Sequence, residues 1–167
     1  MSDKRRALLL ACSATKLDAT APMEAFRRYD GPAYRVLRKH YDGQAPRDGL
    51  LGERAGLQVY ILSAKFGLIP SYADINHYDQ RMTPARALLM SAWVEQAKQF
   101  RELLADSELF VVAGADYRTV LDAWADGIAY RRAAGGIGEQ LGQLKRWLIE
   151  TGSLVAKRGG CDPIPPK

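Results

Sequence analysis

The chain has 167 residues, 47% hydrophobic and 26% charged, the composition of one globular domain of ordinary size; a small scaffold stapled by disulfides or a metal is excluded. With 24 Lys and Arg against 19 Asp and Glu, the formal net charge is +5 and the isoelectric point about 9.3, which favours an anionic partner. No apolar stretch approaches the ~18 residues of a membrane span, the run after Arg6 is too short for a signal sequence, and Cys12 and Cys161 form no zinc or disulfide pattern, so no membrane association and a cytoplasmic location are expected.

The first apolar run, Ala7 to Cys12, shows no alternation, as suits a strand buried on both faces. Asp30, Gly31 and Pro32 form a helix start with proline at the first helical position, and the helix is expected to end near His40, before the turn-rich segment 42–49. A second buried strand follows at Leu57 to Leu62. Thr83 as N-cap and Pro84 as first helical residue open a long helix whose stripe of Leu89, Trp93, Ala97, Phe100 and Leu104 faces a sheet. Leu109 to Ala113 is the third strand. A helix from Asp116 packs Val120, Leu121 and Trp124, and another, after the glycine-rich turn at 135–138, packs Leu141, Leu144 and Leu148 until Gly152. Strand and helix alternate, so the fold class is α/β: one three-layer domain over 1–156 with a mainly parallel central sheet flanked by helices, then a loose tail over 157–167.

In such sheets ligands bind beyond the carboxyl ends of the strands. All three strands end alike, in small or hydroxyl residues, a glycine or alanine, and one cation: Cys12, Ser13 and Lys16; Ser63, Lys65, Phe66 and Gly67; Gly114, Tyr117 and Arg118. Such residues admit a ligand to backbone N–H groups and complete an anion site. The segment from Ile69 to Met82 is expected to be a loop lying over that edge, with Tyr72 and Tyr78 to stack on a planar ligand, and Asp74 and Asp79 as carboxylates that polarise a hydroxyl or activate water. Asp79 is equally placed to pair with Arg81 or Arg86, and His77 has no partner at triad spacing. Gly136 and Gly138 stand at a helix start, where free N–H groups can receive an anion, although the spacing is that of neither a P-loop nor a dinucleotide fingerprint. No metal and no cofactor is implied by any ligand spacing.

The blocks Cys12 to Lys16 and Ile61 to Ile69, the pair Tyr78 and Asp79 with Met82, and the late glycine-rich turn together resemble a small bacterial and phage family of unknown function, over residues 7 to 150. More distantly they are similar to the YaaA family of peroxide-stress proteins. That resemblance implies links to DNA binding and oxidative-stress protection, and strand-end sites like those of uracil-DNA-glycosylase-like and base-exchanging enzymes.

The reading that follows is an enzyme acting on a nucleobase, a nucleoside or a base in DNA, by attack at the glycosidic carbon. Oxocarbenium character there calls for a carboxylate, Asp79 with Asp74 as its rival. Tyr78 and Phe66 would stack on the base, Ser13 and Ser63 would hydrogen-bond the substrate, and Lys16 and Lys65 would hold phosphate or neutralise the departing base. The alternative is a non-catalytic nucleic-acid or nucleotide binder in stress or phage defence, needing the same basic edge without a positioned carboxylate. A third makes Cys12 a redox sensor.

Overall fold

The computed structural model describes residues 5–40 and 57–150. The elements follow in chain order as β1 (Arg5–Ala11), β2 (Met23–Glu24), α1 (Ala25–Arg28), α2 (Pro32–His40), β3 (Leu57–Ser63), β4 (Gly67–Pro70), β5 (Asp74–Ile75), α3 (Pro84–Ser91), α4 (Val94–Leu104), β6 (Ser107–Val112), α5 (Ala115–Trp124), β7 (Tyr130–Arg132) and α6 (Ile137–Glu150). The main sheet has the order β4-β3-β1-β6-β7, parallel except for β4, and β2 pairs with β5 in a separate two-stranded antiparallel sheet.

The unbroken apolar run of β1 is explained by its place at the centre of this sheet. Leu8 and Leu10 point into a core shared with α1, α2 and α6, whereas Ala7 and Leu9 point into one shared with α3, α4 and α5. The chain leaves β1 for β3 on one side, then crosses from β3 to β6 on the other. The crevice between the carboxyl ends of β1 and β6 is therefore the topological switch point, where open α/β sheets take their ligands.

The α/β architecture with a mostly parallel, helix-flanked sheet agrees with the sequence reading, and three local expectations are corrected. The long helix from Pro84 is two helices. The Met90 carbonyl accepts from the Trp124 indole at 3.0 Å and from the Trp93 amide at 3.0 Å, Ala92 turns back onto Leu89, and the chain restarts at Val94. Leu89, expected on the buried stripe, is 63% exposed, and Ala87 and Met90 take its place in the core. The stretch from Ile69 is not all loop, since Gly67–Pro70 pairs antiparallel with β3 and Asp74–Ile75 with β2. The turn-rich segment 42–49, Gly152 and the tail at 157–167 lie outside the described residues.

Buried Arg28 anchors the segment that follows the first strand. Its guanidinium donates to the carbonyls of Leu17 (2.8 Å), Ala19 (3.0 Å) and Ala21 (2.7 Å), and reaches that of Ile75 at 3.4 Å. A fork of donors spent on backbone acceptors fixes a stretch that has little regular structure of its own.

Candidate functional site at the switch point

The end of β1 brings Cys12 and Ser13 to the crevice. The Cys12 thiol is 2.9 Å from the Tyr117 hydroxyl on α5 and accepts from the Ala64 amide at 3.4 Å, so all three parallel strand ends meet at one sulfur. On one side of the Cys12–Ser13 step lies a cleft of about 260 Å³, walled by Lys16, Asp79, Arg81, Met82 and Tyr117. On the other lies a cavity of about 210 Å³, bordered by Tyr34, Gly114, Ile137 and Gln140. Jointly they reach the size of a small-molecule site, roughly 300 Å³ and upward.

Asp79 is the one carboxylate lining the cleft among the described residues; it is exposed and makes no ion pair there with Arg81 or Arg86. Arg86 is spent elsewhere. It donates to the carbonyls of Ala64 at 2.8 Å and Lys65 at 3.3 Å and packs over Trp93, clamping the loop after β3. Thr83 caps α3 as expected, its hydroxyl accepting from the Arg86 amide at 3.1 Å.

Beneath the cleft runs a buried polar chain. Ser63 Oγ accepts from the amides of Lys65 (3.2 Å) and Phe66 (3.1 Å), which leaves its own proton for Tyr78 at 2.9 Å, and the Tyr78 hydroxyl in turn meets that of Tyr29. Tyr34 donates to the Ala11 carbonyl at 2.7 Å. Burial, followed by the nearby Cys12 thiol, pushes the hydroxyls of Tyr34, Tyr78 and Tyr117 above the ordinary phenol range and that of Tyr29 up to about 12. Four neutral phenols thus surround the strand end, offering hydrogen bonds without charge.

This chain corrects the stacking role expected of Tyr78. Its ring is buried, with the Lys16 ammonium 4.6 Å and the Lys65 ammonium 5.6 Å from its centre and Phe66 edge-on at 5.3 Å, so no face is open to a planar ligand. Tyr78 is a strut that holds Ser63 and carries two cations over its ring. Phe66 is half-buried, with the Lys65 ammonium 5.3 Å from its ring centre. Ser63 is itself fully buried and committed to the two amides and Tyr78, which removes the substrate hydrogen bond expected of it.

The remaining expected site residues divide. Gly114 N-caps α5 and lines the smaller cavity. Gly67 instead has φ +75°, and a Cβ there would meet Gln96 Oε1 at 2.7 Å, so its role is to turn the hairpin. Asp74 is exposed on β5, opposite Glu24, and lines neither cavity. The Gly136 amide already donates to the Glu139 carboxylate at 2.8 Å, so this helix start is occupied by an anion of its own chain; Gly138 is exposed in the first turn of α6. His77 and Tyr72 are exposed. Among the described residues no three His, Cys, Asp or Glu side chains gather as a metal site requires.

Several residues of the site carried no strong sequence signal. Gly31 is one: a Cβ there would stand 2.6 Å from Ser13 Oγ, so any side chain at this position would force Ser13 to shift. Its place before Pro32 marked a helix start and concealed the contact. Gln140 and Ile137 are others, visible only once α6 is folded across the sheet.

The model of a family of unknown function (DUF6884) matches residues 7–150. Among curated proteins none matches. Among solved structures, the crystal structure of AF0587, a protein of unknown function, is similar at 15% identity with a TM-score of 0.47, over 96% of this chain and 47% of the other. The chain thus spans about half the length of the solved structure it matches.

Proposed function

The chain belongs to the DUF6884 family of unknown function, and on that premise we propose that the cleft at the switch point binds a nucleoside or nucleotide unit and cleaves or exchanges its N-glycosidic bond. The observation that carries this reading is the position of Asp79, a carboxylate free of ion pairs among the described residues, in one cleft with Lys16 and the Cys12–Tyr117 pair.

Breaking an N-glycosidic bond builds positive charge on the sugar carbon and negative charge on the departing base. Asp79 supplies the negative side, stabilising the oxocarbenium centre and orienting the water that attacks it. Lys16 supplies the positive side, close enough to neutralise the leaving base or hold a phosphate, and Ser13 and Tyr117 offer hydroxyls beside it. The smaller cavity receives the other end of the ligand, bounded by the first residues of α2 and the N-cap of α5, where backbone amides favour negative charge.

The test is release of free base, followed by mass spectrometry, from DNA, modified phage DNA, tRNA and a nucleoside panel. The expected result is a released base whose rate falls by about a hundredfold or more in Asp79→Asn, the usual range for a lost acid–base or charge-stabilising group, while ligand binding persists. Good binding with no release from any substrate would overturn the enzymatic reading and support a non-catalytic binding protein.

A further inference from the structure

A third cavity, of about 280 Å³, lies away from the cleft, between the edge strand β7 and the outer half of α6. Its polar rim carries Arg131 and Arg132 from the strand, and Gln143, Arg146 and Glu150 from one face of the helix. Among the described residues only Arg131 approaches a carboxylate, Glu150 at 4.0 Å, and both side chains are more than 60% exposed, so that pair contributes little. Arg132 and Arg146 make no ion pair among the described residues. Three guanidinium groups around one cavity with a single loosely held carboxylate leave a positive potential that an anion would neutralise.

We propose that this groove binds the phosphodiester backbone of a nucleic-acid strand, so that the unit entering the Asp79 cleft is a nucleotide within a strand; the second clause rests on the function proposed above. Two features of the groove select this ligand chemistry. The planar donors of arginine fit phosphate oxygens in pairs. The aromatic floor is closed, because Phe110 and Trp147 stack on each other at 5.1 Å and are both buried, leaving no ring face for a base and no apolar pocket for a peptide side chain. Recognition is therefore of backbone charge, independent of sequence.

Helix α6 also runs from the groove to the smaller cavity of the switch point. Gln140 borders the smaller cavity of the switch point, while Arg146 stands six residues further along the same helix, about 9 Å at 1.5 Å per residue. Gln143 between them fixes the approach to the helix through two bonds to the Ala134 backbone, at 3.0 and 2.8 Å. That rise is short enough for a strand held in the groove to run on towards the cavity.

Fluorescence anisotropy of the full chain with a labelled single-stranded 12-mer, in DNA and RNA, with its duplex, and with a polyglutamate peptide, tests the groove. The strand is expected to bind with a steep salt dependence. The double variant Arg132→Gln/Arg146→Gln should weaken it at least tenfold and lower the slope of log K against log salt by about 1.4, since each single-strand phosphate contact contributes about 0.7. Arg132→Lys/Arg146→Lys should recover most of the slope, and unchanged thermal melting of both variants shows that folding is not the cause. No strand binding, unaltered binding by the glutamine variant, or tighter binding of polyglutamate overturns the proposal. Strand binding that depends on these arginines, with no base release in the Asp79 assay, leaves the groove standing and removes the catalytic reading alone.

Discussion

The Cys12 thiol and the Tyr117 hydroxyl lie 2.9 Å apart although 105 residues separate them, and their contact bridges the carboxyl ends of β1 and β6. A partly buried bond of this kind contributes about 1 kcal/mol. Tyr117→Phe, which keeps the ring packing, should lower the melting temperature by about 2–4 °C, and Cys12→Ala should do the same; the double variant should fall short of the sum if the two groups act as one pair. Differential scanning calorimetry of the four proteins decides it.

Arg28 holds the segment after the first strand by donating to four backbone carbonyls from a fully buried position. Arg28→Met strips those acceptors of their partner, at about 1–3 kcal/mol for each one left buried and unsatisfied. Arg28→Lys keeps the charge but loses the fork, so it should also be destabilising. Urea unfolding is expected to show both midpoints well below that of the parent protein, with Arg28→Lys the milder.

Gly67 opens β4 at φ +75°, and a Cβ would collide with the side-chain Oε1 of Gln96, which itself accepts from the Leu68 amide at 3.0 Å. Gly67→Ala adds a left-handed strain of about 1–2 kcal/mol and disturbs that bond. A loss near 2 kcal/mol is expected, whereas Gly138→Ala, where a Cβ meets open space, should be neutral or stabilising. Equal melting temperatures for the Gly67→Ala and parent proteins would refute the turn's role.

Tyr29 is held neutral by burial, its hydroxyl pushed up to about 12 from a reference of 10.0. Because the folded state keeps its proton longer than the unfolded chain, the contribution is fully present below pH 10 and is lost as the pH rises towards 12. A rise from 10.0 to about 12 corresponds to about 3 kcal/mol, so chemical denaturation should show stability falling steeply over that window. Tyr29→Phe should flatten the decline.

Much of the fold is legible locally. The unalternating run of β1 marks a strand covered on both faces, the Thr83–Pro84 cap marks a helix start, and small or hydroxyl residues with one cation mark each strand end. These features depend on neighbours a few residues away, through burial pattern and capping, and a chain read in order displays them.

The remaining features depend on partners far along the chain. The Trp124 indole takes the Met90 carbonyl where the long helix breaks. Tyr78, an exposed-looking loop residue, is drawn under the sheet edge by Tyr29 and Ser63 and loses its stacking face. Short edge strands such as β7 carry too few apolar residues to signal themselves, and Arg131 and Arg132 become one groove with Arg146 only when α6 packs beside them. Periodicity and capping are short-range and appear in the sequence; which donor meets which acceptor across the sheet is set by chain crossings that no local pattern encodes.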